Sequence, residues 1–123
     1  MVFTYGLLHV DSNDDGTILR QRWTGRVNEL RPSAALDGYF SPMVERARAA
    51  GLTIEHHFEK LEYFNSAFIS WVIHHLRQTI EGRVKTVIYF EPKSHMQSSS
   101  FDALKVLQRD NPWLQVLEAP SAP

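Results

Sequence analysis

The run VKTVIYF, residues 84–90, constrains the fold more than any other part of the chain. β-Branched residues fall on both faces of this run, which is the pattern of a central strand covered on both sides. Apolar residues at three- and four-residue spacing precede it in 65–81, so a helix leads into the strand. A chain that alternates strands and helices in this way forms an α/β domain.

The remaining strands are predicted from alternating and aromatic-rich runs. Residues 3–10 and 18–25 are two such runs on either side of the turn cluster DSNDDG at 11–16, and we expect them to pair as an antiparallel hairpin. The segment 52–64 is predicted to form a third strand, and 113–118 a last strand at an edge of the sheet.

Three helices are predicted between these strands. The first ends at Gly51, a residue type that caps helix C-termini, and Pro42 inside it predicts a kink or two helical pieces. The second begins after Asn65, a good N-cap, and closes at Gly82. The third spans about residues 100–110.

The elements therefore follow the order β-β-α-β-α-β-α-β, which predicts a mixed sheet of four to five strands with three helices. A chain of 123 residues has the size of one domain. We expect residues 1–118 to form that domain and 119–123 to be a flexible C-terminal tail.

Composition and charge exclude several classes of function. The net charge of -1 gives no field that would attract nucleic acid. The absence of cysteine excludes disulfides, thiolate metal sites and a Cys nucleophile. The chain has no apolar window of about 18 residues and no basic signal-peptide region at its start. We therefore expect a cytoplasmic protein without a membrane span.

The turn cluster DSNDDG is similar to the opening of a calcium loop. Asp11, Asn13 and Asp15 alternate, and Gly16 takes the sixth place. The twelfth place, which should be a bidentate Glu, is Arg22. The mismatch favours a plain hairpin turn.

The histidines include two adjacent pairs, His56–His57 and His74–His75. Adjacent side chains on a strand point to opposite faces, and adjacent helical ones diverge by about 100°. Neither pair is therefore a ready set of metal ligands, and we interpret them as partly exposed structural residues. Gly-rich phosphate loops and GxSxG are absent, although a Ser-His-Asp arrangement stays open because its members meet in space.

Ser66 has a distinctive setting, at the end of a strand and directly after the predicted N-cap Asn65. The first N–H groups of a helix are unpaired and the helix dipole favours negative charge there, so a phosphate on Ser66 is tolerated. Capping preference explains the Asn-Ser pair fully without any modification. The local chemistry alone therefore favours a plain helix start and leaves phosphorylation as the open alternative.

The order of elements and two motifs resemble the STAS domain, the fold of the bacterial anti-sigma factor antagonists. The family's strand ending in Thr-Gly appears as ILRQRWTGRV at 18–27. Its loop of the form aromatic-apolar-Asp-Ser-Ser/Thr-Gly-Leu corresponds to EYFNSAFI at 62–69, in which Ser66 matches the phosphoacceptor. The Asn in LEYFNS is more similar to the SiaC-like branch of regulatory phosphoproteins, which work in partner-switching control of signalling and biofilm formation.

The chain departs from the family pattern at three places. Asn65 replaces the acidic residue, Ala67-Phe68 replaces Ser/Thr-Gly, and Asn28 stands where some antagonists have an Asp. The hydroxyl stays in place while its surroundings change. Phe68 either packs inward or offers an apolar contact to a partner.

The resemblance implies a non-enzymatic switch protein without a cofactor of its own. Ser66 is the implied phosphorylation site, and the implied partners are an ATP-dependent serine kinase of the histidine-kinase-like ATPase fold, a PP2C-type phosphatase and a downstream regulator. The implied partner-binding residues are Asn28, Tyr63, Asn65, Ser66, Ala67 and Phe68. Two alternatives stay open: a binding or scaffold domain of the same fold whose serine is not phosphorylated, and a small enzyme that uses His and Asp/Glu groups.

Overall fold

The computed structural model describes residues 1–120, which contain seven strands and three helices. In chain order these are β1 (Val2–Tyr5), β2 (Leu8–Asp14), β3 (Ile18–Val27), α1 (Ser33–Ala50), β4 (Thr53–His57), β5 (Leu61–Phe64), α2 (Ser66–Glu81), β6 (Thr86–Phe90), α3 (His95–Gln108) and β7 (Leu114–Glu118). The α/β class and the three helices are confirmed. The predicted strand count is too low because two of the predicted strands are each divided in two.

A single mixed sheet joins all seven strands. Its order is β1-β2-β3-β4-β6-β7, and β5 pairs with β3 beyond the end of β4. The pairs β1–β2 and β2–β3 are antiparallel, which confirms the predicted hairpin, and the other pairs are parallel. The turn predicted at 11–16 is shorter than expected, since residues 11–14 belong to β2 and only 15–17 connect it to β3. β7 lies at one edge, as predicted.

Backbone geometry at two glycines accounts for the divided strands. Gly6, with φ +60°, forms the turn that splits the predicted strand 3–10 into β1 and β2. Gly25 has φ +88°, and the register of β3 shifts directly after it. β3 pairs with β4 over Ile18–Arg22 and with β5 over Gly25–Val27. The predicted strand 52–64 is interrupted between these two pairings, where the Leu61 N–H donates to the Phe58 carbonyl oxygen at 2.9 Å.

The helix ends largely follow the predicted caps. Gly51 closes α1 in the left-handed region with φ 68°, and Gly82 closes α2. Of the two outcomes predicted at Pro42, the division into two helical pieces is wrong, because α1 runs through Pro42 as one helix whose buried face continues on both sides. α3 begins at His95 rather than near residue 100, since the Ser94 side chain caps it by accepting from the Gln97 N–H at 3.2 Å.

An aromatic core fills the space between the sheet and the three helices. Trp23 of β3 lies at its centre, stacked on Phe40 of α1 at 5.1 Å and in edge contact with Phe68 of α2 at 5.5 Å. α3 joins the same core through Phe101, which stacks on Phe58 at 5.0 Å.

All three helices pack on the same face of the sheet. In β3, Gln21 and Trp23 are fully buried while Arg22 and Thr24 between and beyond them are exposed. The helices therefore cover one face only of the strand predicted at 84–90. Val87, on the open face, is nevertheless buried, among the side chains of the neighbouring strands.

The first residue after β7, Ala119, is still attached to the sheet. Ala119 is buried, and its N–H donates to the Phe90 carbonyl oxygen at 2.7 Å. The last part of the expected flexible tail, residues 121–123, lies outside the described residues.

Candidate functional site

Ser66 is the first residue of α2, separated from the end of β5 by Asn65 alone, and its side chain is exposed. Asn65 is the N-cap in extended conformation, with φ -99° and ψ 176°, and its Oδ1 accepts from the Phe68 N–H at 3.0 Å. This confirms the predicted cap. The Ser66 hydroxyl makes no hydrogen bond with any residue in the described part of the chain, 1–120.

The Asn65 side chain makes a second bond that links two loops. Its Nδ2 donates to the backbone carbonyl oxygen of Glu29 at 2.8 Å. The loop between β3 and α1 is thereby held beside the start of α2. An ionised Asp accepts hydrogen bonds only and could not make this bond, which gives a structural reason for an amide at position 65.

A shallow groove of about 400 Å³ opens beside Ser66, between the first turns of α2 and α3. The hydroxyls of Ser66, Ser70 and Ser100 and the apolar side chains of Ile69 and Met96 line it, together with Phe64 and Asn65. A group attached to Ser66 would therefore lie at the mouth of a groove with hydroxyl donors and an apolar floor.

Two exposed apolar side chains belong to the segments next to Ser66. Leu30, in the loop that Asn65 holds, is 87% exposed, and Tyr63 of β5 is 39% exposed. The Arg26 guanidinium lies 5.5 Å from the centre of the Tyr63 ring. Asn28 is also exposed, and its N–H donates to the Glu29 carboxylate at 3.2 Å.

The structure distinguishes among the predicted partner-binding residues by their exposure. Asn28, Tyr63 and Ser66 are exposed, and Asn65 and Ala67 are half-buried. Phe68 is fully buried. Of the two roles left open for Phe68, the structure therefore places it in the core, where it supports the first turn of α2 from below.

Gln97 of α3 positions the strand that leads into the site. Its Nε2 donates to the carbonyl oxygens of Phe58 and Leu61, both at 2.9 Å, and its Oε1 accepts from the Glu91 N–H at 2.8 Å. The residue is 1% exposed. These bonds take the place of a neighbouring strand on the side of β5 that faces away from β3.

Sequence analysis missed Gln97 and Leu30. A Gln within a helix gives no signal of the backbone bonds that its amide makes to distant strands. Leu30 did offer one, since it is an apolar residue in the polar stretch NELRP at 28–32.

Two of the histidines, one from each adjacent pair, meet in the core. Trp23 Nε1–H donates to His56 Nδ1 at 3.0 Å, which leaves His56 Nε2–H to donate to His75 Nε2 at 2.9 Å. The proton on His75 Nδ1 then has no partner within residues 1–120. The interpretation of both as partly exposed is wrong, because His56 is 0% and His75 2% exposed.

Burial also sets the protonation of these histidines. Desolvation, with the neighbouring His75 as a smaller cause, holds the pKa of His56 well below its ordinary value. Desolvation lowers the pKa of His75 to about 3. On the open face of the sheet the effect is reversed, since the hydrogen bonds to Glu59 and Glu55 raise the pKa of His57.

The described residues form no cluster suited to a metal ion and no helix suited to crossing a membrane. No group of three or more His, Asp or Glu side chains in 1–120 converges on a common point. None of the three helices there has the length and apolar character that a bilayer span requires.

No family model matches the chain, and no curated protein sequence does either. Solved structures do match it. The anti-sigma factor antagonist SpoIIAA in its unphosphorylated form superposes with a TM-score of 0.57 at 17% identity, over 92% of this chain and 89% of that one. The phosphorylated form of the Bacillus cell fate determinant SpoIIAA gives a TM-score of 0.56 at 15% identity, over 91% and 92%. The chain therefore has the SpoIIAA-like STAS fold, and the predicted fold is confirmed.

Proposed function

We propose that this protein is a non-enzymatic bacterial signalling regulator of the partner-switching type, controlled by reversible phosphorylation of Ser66. The observation that supports it most directly is an exposed serine, free of hydrogen bonds within residues 1–120, at the first position of α2. The fold is shared with SpoIIAA, whose structure is known in unphosphorylated and phosphorylated forms.

The start of α2 suits a phosphate. The first N–H groups of the helix have no carbonyl one turn earlier, and the first turn contains no acidic residue. A phosphate there adds a charge of about -1.5 to -2 and three acceptor oxygens. The helix end offsets part of that charge, so the phosphorylated protein keeps its fold.

Phosphorylation would act on the exposed residues around Ser66 rather than on the core. We place the docking rim at two exposed apolar side chains, Leu30 in the loop bonded to Asn65 and Tyr63 of β5, next to the groove beside Ser66. A partner that docks on this rim desolvates it, and a dianion at its centre opposes that desolvation. Free Ser66 therefore permits docking, and phosphorylated Ser66 weakens it.

The proposed partners are those that the resemblance to the anti-sigma factor antagonists implies. An ATP-dependent serine kinase of the histidine-kinase-like ATPase fold adds the phosphate, a PP2C-type phosphatase removes it, and a downstream regulator binds the free form. ATP and metal ions belong to these partners. The docking residues are Asn28, Tyr63, Asn65, Ser66 and Ala67, with Phe68 beneath them.

The enzyme alternative gains no support from the cavities. Neither the groove beside Ser66 nor the cavity beside α1 is lined by a histidine. The two buried histidines are enclosed in the core and bonded to each other and to Trp23.

The direct test incubates the protein with the kinase encoded beside it and ATP, followed by mass spectrometry of the intact chain and its peptides. One phosphate is expected on the wild type and none on Ser66→Ala. Ser70→Ala is the matched control, because Ser70 is exposed in the same groove and lies one helical turn away. Phosphate at Ser70 or Ser100, or none at all, would refute the proposed switch.

A second measurement separates the switch from a passive scaffold. Ser66→Asp places a carboxylate at the phosphorylation position and is expected to weaken binding of the downstream regulator, measured by calorimetry. Unchanged affinity, together with an unmodified Ser66, would favour the scaffold alternative.

A further inference from the structure

A second cavity, of about 390 Å³, lies between the β2–β3 hairpin and the middle of α1. Gln21 and Leu19 of β3 and Ser12 of β2 form its sheet side, and Tyr39, Pro42 and Met43 form its helix side. Gln21 lies six residues before Val27 at the end of β3, which places the cavity roughly 20 Å from the end of the sheet that holds Ser66. Its volume is within the range of small-molecule sites.

A directed chain of hydrogen bonds forms the floor of this cavity. The Ser12 hydroxyl donates to Gln21 Oε1, so it must accept from the Tyr39 hydroxyl, which lies 2.5 Å away. Gln21 is 0% exposed. Its Nε2 is the end of the chain, and this donor has no acceptor within residues 1–120.

An unpaired amide donor inside a protein is unusual because buried polar groups are nearly always bonded. Here the donor belongs to a residue that lines an open cavity, whose apolar wall is formed by Leu19, Pro42 and Met43. The Nε2 atom is itself closed to solvent, so a small shift of the amide towards the cavity lets a hydrogen-bond acceptor there complete the chain that runs from Tyr39 through Ser12 to Gln21.

The polarity of the lining decides what kind of acceptor fits. The floor is made of a hydroxyl, a phenol and an amide, none of which is charged. An anion would lose its hydration there without a counter-charge. The two cations of the lining are already engaged, since Arg46 is paired with Asp14 and the Met1 α-ammonium donates to the Ser12 carbonyl oxygen at 3.2 Å.

We infer that this cavity is a binding site for a small neutral molecule with an apolar body and a carbonyl group, and that the carbonyl oxygen accepts from Gln21 Nε2. The apolar body packs against Leu19, Pro42 and Met43. The site is separate from the phosphorylation site and does not depend on it.

The test uses two probes of nearly the same shape on the full-length ¹⁵N-labelled protein. Acetophenone has the carbonyl acceptor, and ethylbenzene lacks it. Titration followed by NMR is expected to give saturable shifts of the Gln21 side-chain amide and of the backbone amides of Ser12 and Met43. Acetophenone is expected to bind about tenfold more tightly, the value of one net hydrogen bond.

Two variants sharpen the assignment. Gln21→Leu keeps the shape of the side chain and removes its donor, so the two probes are expected to bind equally well. Met43→Phe fills part of the cavity and is expected to weaken both probes. Equal affinity of the two probes for the wild type, shifts confined to the open face of the sheet, or no saturable binding would overturn the inference.

Discussion

Replacing Asn65 by Asp tests whether the amide of this residue, and not only its capping oxygen, organises the candidate phosphorylation site. Asp is the residue that the anti-sigma factor antagonists have at this position, and it caps helices as well as Asn does. A carboxylate nevertheless cannot donate to the Glu29 carbonyl oxygen, which lies 2.8 Å from the present Nδ2. Two acceptor oxygens at that distance repel each other, so the loop that contains Glu29 must move away.

The magnitude follows from two opposing contributions. Losing one neutral hydrogen bond costs about 1 kcal/mol, and the uncompensated carbonyl oxygen adds about 1 kcal/mol more. A negative charge at the start of α2 returns roughly 0.5 kcal/mol through the helix dipole. We therefore expect Asn65→Asp to lower the free energy of unfolding by about 1.5 kcal/mol.

Urea denaturation measures this loss, and NMR relaxation at Leu30 reports the freed loop. Asn65→Ser is the control, because serine also caps the helix but is too short to reach Glu29, and it is expected to lose about 1 kcal/mol without the added repulsion. An Asn65→Asp protein as stable as the wild type, with Leu30 equally ordered, would refute the reasoning.

Three further perturbations test the scaffold around the site. Gln97→Leu removes three hydrogen bonds at once and is expected to lower the free energy of unfolding by about 3 kcal/mol, measured by urea titration. A loss of less than about 1 kcal/mol would contradict the three bonds described. His75 stays neutral when folded and titrates near pH 6.5 when unfolded, so its contribution is complete above pH 6.5 and is lost as the pH falls towards its folded pKa of about 3. Wild type is therefore expected to lose about 2 kcal/mol more than His75→Gln between pH 7 and pH 5, and parallel curves would contradict this. Gly25→Ala, whose methyl group would lie 2.0 Å from a backbone oxygen of the β1–β2 turn, is expected to cost about 3 kcal/mol or more. Gly16→Ala, at a similar φ but with nothing within 4 Å, is expected to cost about 1 kcal/mol, and equal thermal shifts for the two variants would show that the contact has no effect.

Local patterns predicted the parts of the fold that depend on local physics. The caps at Gly51, Asn65 and Gly82 follow from backbone conformation and side-chain bonding within one turn, and all three are confirmed. The hairpin around 11–16 follows in the same way from turn chemistry. The divided strands did not, because the register shift after Gly25 depends on which strand lies beside β3.

The buried histidines are a second case in which local sequence patterns do not predict a contact. Adjacent residues point apart, so neither histidine pair acts as a set of two ligands. The contact that forms instead joins His56 of β4 to His75 of α2, which are 19 residues apart in the chain. Only the packing of α2 on the sheet brings them together, and no spacing in the sequence encodes that packing.

The Asn-Ser pair at the start of α2 separates into two functions once the contacts are known. Asn65 uses both ends of its side chain, one to cap the helix and the other to hold the neighbouring loop. Capping therefore explains Asn65 completely and gives no reason for the hydroxyl that follows. Within residues 1–120 the Ser66 hydroxyl makes no hydrogen bond, and the residue lies exposed at a helix end that favours anions, beside a groove. A hydroxyl with no bonding role there, placed where added charge would act on a docking partner, supports the proposal that Ser66 is a site of modification.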